Sequence, residues 1–230
     1  MPFPFYFDYS IIVLIPAMIF AIWASTNVNS TYKKFSKQTT QSRMTGFDAA
    51  RRILDANGLR HVAIEQIAGE LTDHFDPRSN VLRLSGAVYS GTSVSSVGIA
   101  AHEAGHAVQF AQGYVPMKLR SAIIPVTNIG STLAFPIFLV GILFANYALA
   151  SFGIILFSLT ALFQAVTLPV EFNASRRAME ALDGCGVLTD SEQKGARKVL
   201  RAAALTYVAA LASALAQILR LVLIMNRHRD

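Results

Sequence analysis

Long apolar runs, separated by stretches in which charges recur every few positions, organise this 230-residue chain. From Tyr9 to Tyr32 no residue is charged, and positions 11–24 are strongly apolar. A helix needs about 20 such residues to cross a ~30 Å hydrocarbon core. Tyr9 and Trp23 suit the two interfaces of that span. Residues 121–170 then carry neither a charge nor a histidine. As one helix they would extend ~75 Å, too far for one crossing, so the run predicts two spans with a turn near 146–153. Pro125, Pro136, Asn128 and Gln164 lie inside it and are tolerated where neighbouring helices satisfy freed polar groups. Residues 202–219 are apolar again, and after Arg220 the run resumes at 221–226. That pattern predicts a fourth span, with Arg220 snorkelling or paired inside the bundle. The predicted spans are residues 8–26, 121–145, 150–170 and 203–225.

Between the spans lie two polar parts, about 30–118 and 171–201. Thr45 is a candidate N-cap for a helix whose apolar positions 47, 50, 53 and 54 share one face; Gly58 follows its end. Residues 62–64 and 81–85 (V-L-R-L-S) have the pattern of short strands, separated by the turn-rich stretch L-T-D-H-F-D-P at 71–77. The Ser- and Gly-rich segment 86–98 is expected to be a flexible loop leading into a helix that Gly113 ends. Thr189 and Glu192 have capping-box spacing and open the last helix.

Composition agrees with the hydropathy pattern. Only 15% of residues are charged, where an ordinary soluble domain has about 25%. The net charge of +6 comes with no basic patch interleaved with aromatics, so nucleic acid is not an expected partner. Of 20 Lys and Arg, eleven fall in 33–120 and six in 176–201, with none in the predicted hairpin turn. The positive-inside rule then places both polar parts in the cytoplasm, although Arg227 and Arg229 run against it. The segment before the first span, M-P-F-P, has no basic residue, so that span does not read as a cleavable signal. A single cysteine, Cys185, excludes an intrachain disulfide and a thiolate zinc cluster.

The chemistry concentrates in A-H-E-A-G-H-A at 101–107. On a helix, His102 and His106 project from one face a turn apart, where both imidazoles can reach one Zn²⁺. Glu103 adjoins the first of them and can take a proton from an activated water. The bland alternative is a helix with two surface histidines and a solvated glutamate. Two histidines leave a zinc site one protein ligand short, and a second helix can supply a carboxylate. Glu171, the first charge after the long apolar run, is the candidate; the alternative is a helix-start carboxylate favoured by the dipole. Asp73, His74 and Asp76 form the other His/Asp cluster. It reads as a second metal site, as an Asx-type turn closed by Pro77 with His74 bonded locally, or as the active-site rim.

These stretches resemble the YugP-type neutral zinc metallopeptidases of bacteria, a gluzincin-like family. The likeness rests on L-T-D-H-F-D-P, V-L-R-L-S, A-A-H-E-A-G-H-A-V-Q at 100–109, L-P-V-E-F-N-A-S-R-R-A at 168–178, and G-A-R-K-V at 195–199 with A-A-A-L-T-Y at 202–207. It spans nearly the whole chain. It implies a mainly α integral membrane protein forming one domain over 1–230. About four transmembrane helices would accompany a small cytoplasmic α+β zincin-like catalytic part. The implied activity is zinc-dependent endopeptidase in the cytoplasmic membrane, with one zinc per chain on His102, His106 and Glu171. In many gluzincins an aspartate four residues after the glutamate ligand orients a histidine; here that position is Ser175. Either Asn173, Asp73 or Asp76 takes over that support, or the metal is held more loosely. Glu103 would accept a proton from water and pass it to the leaving amine. His74, Arg177 and Tyr207 are candidate oxyanion donors. An extended substrate could pair with an edge strand formed by Val81, Leu82, Arg83, Leu84 and Ser85. Expected partners are the lipid bilayer and membrane or membrane-proximal protein substrates. The rival readings are a membrane scaffold with a vestigial zinc site and a transporter. The transporter lacks support from repeated halves or paired intramembrane charges.

Overall fold

The computed structural model describes residues 9–229; residue 8, where the first predicted span begins, lies outside them. A 3₁₀ segment, Tyr9–Leu14, leads into α1 (Ile15–Phe35). There follow α2 (Gly46–Ala56), β1 (Ala63–Ile67), β2 (His74–Asp76), β3 (Val81–Ser85), α3 (Gly86–Tyr89) and α4 (Val94–Ala111). Three long helices complete the chain: α5 (Val115–Leu143), α6 (Tyr147–Gly184) and α7 (Asp190–Arg229). Two compact units emerge, one of Ala24–Leu119 with Thr167–Thr206, the other of the residues up to Trp23, 120–166 and 207 onward.

Among the described residues, four helices are long and apolar enough to cross a membrane: Tyr9–Phe35, Val115–Leu143, Tyr147–Gly184 and Asp190–Arg229. Many of their large side chains face outward, such as Ile19 at 62% and Ile129 at 65% exposure, a surface suited to lipid rather than water. The apolar unit has its own small core of Phe138, Ala150, Ile154 and Leu221. Its hairpin turn is earlier and tighter than 146–153. α5 ends at Leu143, and Asn146 caps α6 by accepting from the Leu149 N–H at 3.1 Å. Gly153, which suggested a turn, instead lets the two helices touch: a Cβ there would stand 2.7 Å from the Phe138 nitrogen. Arg220 is not left bare, its Nε donating to the Ser10 hydroxyl at 3.4 Å.

The polar unit is built on α4 and a three-stranded sheet. Thr45 and Asp48 close a capping box that starts α2, and Gly58 after its end has φ +74°. α2 packs on α4 through Ala49, Ala50, Ile53 and Leu54, all buried. The sheet order is β1-β3-β2, with β3 parallel to β1 and antiparallel to β2. Val81, Leu82, Arg83, Leu84 and Ser85 therefore form the central strand, not an edge, and cannot receive a substrate strand. Leu82 and Leu84 are fully buried on one face, while Arg83 on the other reaches Asp76 of β2 (2.9 Å) and Glu65 of β1 (3.3 Å). A strand tied on both sides has no free ladder to offer.

Two further segments differ from their sequence reading. The turn-rich 71–77 contains β2, and the Asx-type turn begins at Asp76, which accepts from the Arg78 N–H (2.9 Å) and the Ser79 hydroxyl (2.6 Å). The expected loop 86–98 is mostly helical. Ser93 caps α4 by accepting from the Ser96 N–H at 3.1 Å, and Ser95 and Ser96 are buried against it. In that segment the serines cap and pack, rather than solvating a loop.

Candidate metal centre

α4 supplies both histidines and α6 the carboxylate. The two helices approach closely because the residue between the histidines' turns is glycine: a Cβ on Gly105 would lie 2.8 Å from the Ala174 carbonyl oxygen. Ala101, Ala104, Ala174 and Ala178 are fully buried around it, small enough to let backbones meet. Glu171 thereby reaches His102 Nε2 at 3.2 Å and His106 Nε2 at 3.6 Å through one oxygen. The candidate ligand atoms of the three residues all lie within 4.8 Å of one another. Glu171 is interior to α6, so the helix-start explanation for its carboxylate does not apply.

The hydrogen bonds behind the imidazoles decide what the front nitrogens can do. Gln109 is fully buried, and its amide nitrogen donates to the Val170 carbonyl and to Asn173 Oδ1, both at 2.9 Å. Its carbonyl oxygen must then face His106 Nδ1, 3.0 Å away, so that nitrogen carries the proton and Nε2 keeps its lone pair. His102 Nδ1 lies 3.2 Å from the Ser175 hydroxyl, the neighbour expected at the departed aspartate position. Two imidazole nitrogens and a carboxylate oxygen converging in a buried spot are a donor set that suits zinc. Burial by itself would push the His106 imidazolium down; the nearby Glu171 and Glu103 carboxylates outweigh it, and the net shift is upward. These carboxylates thus favour positive charge at the site, on a proton or on a metal ion.

Glu103 is buried beside the histidines and accepts from the Phe75 N–H of β2 at 3.1 Å. Burial pushes its carboxyl above the ordinary value, against the pull of His106 and His102, with smaller upward contributions from Glu171 and Asp73. A carboxylate so placed is a better base than a solvated one.

The remaining candidates are placed as follows. Arg177 donates to Asn173 Oδ1 (2.7 Å) and to Gln112 Oε1 (2.6 Å), extending the chain of bonds that begins at His106. Asn173 thus supports the site through Gln109. Asp73 accepts from the Ser85 N–H (2.7 Å) and hydroxyl, and burial raises its carboxyl against those bonds. His74 is exposed, its Nδ1 2.8 Å from the Thr72 carbonyl oxygen. Tyr207 belongs to the apolar unit. Gln109 and the Phe75 N–H escaped the sequence reading. For Gln109 a signal existed, since it follows His106 by three positions and so shares its helix face; a backbone N–H carries no sequence signal.

Residues 10–226 match the model of a family described as "Putative neutral zinc metallopeptidase". The "Putative membrane protease YugP" of Bacillus subtilis (strain 168) is 46% identical over 220 residues, covering 96% of this chain and 98% of that protein. The chain belongs to this zinc metallopeptidase family. No solved structure matches it. Family membership agrees with the donor set at His102, His106 and Glu171, and the relative's description agrees with the four apolar helices. Gln109 and Ser175 both lie within the matched residues 10–226.

Proposed function

We propose that the chain is a zinc-dependent endopeptidase that hydrolyses membrane or membrane-proximal proteins at the cytoplasmic face. The observation that carries this reading is the convergence of His102, His106 and Glu171, with buried Glu103 alongside. His102, His106 and Glu171 would hold one zinc ion. Bound there, zinc supplies Lewis acidity toward water and toward the scissile carbonyl. The chain's own residues do the rest. Ser175 and Gln109 keep the imidazoles turned toward the metal position. Glu103, held by the Phe75 N–H, takes the proton from the attacking water and returns it to the leaving amine. With β3 enclosed, the strand that flanks Glu103 at the sheet's rim is β2, and an extended substrate would pair there or along β1.

The deciding experiment is Glu103→Gln, assayed for cleavage of casein and of the chain itself in detergent with zinc supplied. Glu103 is not among the ligands, so zinc content and fold should stay close to wild type. Loss of base assistance should lower the rate 10²–10⁴-fold. Equal rates at equal zinc content would defeat the mechanism, and absence of cleavage by both forms would favour the scaffold reading.

A further inference from the structure

Behind the metal centre, on the side of Ser175, a groove of about 460 Å³ runs between the second half of α6 and the first half of α7. Phe172, Met179 and Leu200 line it with apolar surface; Arg176, Arg197 and Arg201 bring positive charge, and Glu180 and Asp183 bring negative charge that Arg176 and Gln193 engage. One end is closed by Gln193, whose Nε2 donates to Asp183 Oδ1 at 2.7 Å. At the other stand Phe172 and Ala204, where the apolar run of α6 has just ended and that of α7 has just begun. Phe172 is 49% exposed there.

The arginines are not equivalent. Arg176 approaches Glu180, one turn along the same helix, at 3.9 Å. Arg197 and Arg201 make no hydrogen bond or ion pair among the described residues, and their spacing places them a turn apart on one helix face. Two unpaired guanidinium forks beside an apolar lining call for an amphiphile with an anionic head. A peptide is a poorer occupant. Both walls are helices whose backbone groups are already bonded internally, so a substrate strand finds no ladder to join.

We propose that this groove binds one anionic phospholipid from the adjoining leaflet. Arg197 and Arg201 grip its phosphate, and an acyl chain lies along Leu200, Met179 and Phe172. Ser175 also lines the groove, so the lipid packs against the residue that holds His102 from behind. The site is independent of whether the chain cleaves peptides, and it is tested without an activity assay.

The test uses the full-length protein in detergent, with bound lipid counted by native mass spectrometry and thermal unfolding followed in parallel. Phosphatidylglycerol is titrated against phosphatidylcholine. The wild type should retain one phosphatidylglycerol selectively and unfold at a higher temperature with it. Each arginine near an anionic lipid is worth about fivefold in affinity, so Arg197→Ala with Arg201→Ala should weaken phosphatidylglycerol about 25-fold and leave phosphatidylcholine unchanged. Lys194→Ala with Lys198→Ala removes the same charge from α7 outside the groove lining and should change affinity less than about twofold. Unaltered phosphatidylglycerol retention in the arginine pair would overturn the proposal. So would an equal loss in the lysine pair, which would mean diffuse attraction, or displacement of the lipid by glycerol phosphate at matching concentration, which would mean a simple phosphate site. The unfolding midpoint of each variant without added lipid confirms that it is folded.

Discussion

Gln109 offers the sharpest test of how the site is held. It is fully buried and spends its whole amide on three partners: His106 Nδ1, the Val170 carbonyl and Asn173 Oδ1. Gln109→Leu keeps most of the volume and removes all three bonds. The Val170 carbonyl lies inside α6, and Asn173 Oδ1 keeps Arg177, so the group left without a partner is the His106 N–H. One buried donor stranded in this way costs about 1–3 kcal/mol of folding stability. The larger consequence falls on the metal. With nothing at Nδ1, His106 can rotate or place its proton on Nε2, the nitrogen that faces Glu171. Loss of such support behind a ligating histidine typically weakens metal 10–100-fold, about 1.4–2.7 kcal/mol. Zinc affinity is measured by competition with a chromogenic chelator, on protein whose fold is checked by its metal-free unfolding midpoint. Asn173→Ala serves as a second variant, loosening Gln109 without touching His106, and should give a smaller loss in the same direction. Zinc binding by folded Gln109→Leu within about threefold of wild type would refute the positioning role.

Gly105→Ala places a methyl group 2.8 Å from the Ala174 carbonyl oxygen, so α4 and α6 must separate; a stability loss of about 1–3 kcal/mol and weaker zinc binding are expected by the same two assays. A fully tolerated substitution would show that the helices are not in contact there. Ser175→Asp puts a carboxylate against His102 Nδ1 and should tighten zinc by about tenfold; weaker binding would mean that Ser175 serves a different neighbour. In a Cys185→Ser background, cysteines at Lys37, Arg78 or Arg197 should resist an impermeant thiol reagent in intact cells, and one at Ala148 should react. The opposite pattern would place the metal centre on the outer face.

The positions of the apolar helices were legible in the sequence. A membrane-length run is a property of consecutive residues, and each helix satisfies its backbone internally whatever its neighbours. The histidine pair was legible for a similar reason, since four positions on a helix fix which side chains share a face. Glu171 could be singled out by its place after the hairpin, but its 3.2 Å approach to His102 bridges 69 positions of chain and depends on Gly105 meeting Ala174. The turn was misplaced because small residues carry two meanings, and Gly153 is used for helix contact rather than for reversal. Strand order was beyond the sequence altogether. Val81 to Ser85 has the same alternation whether its neighbours number one or two, because the ladder is made by backbone groups that every residue carries. Only the tertiary structure put β3 in the middle, aimed the Phe75 N–H at Glu103 and set Gln109 behind His106, since each of these depends on which distant groups the fold brings within about 3 Å.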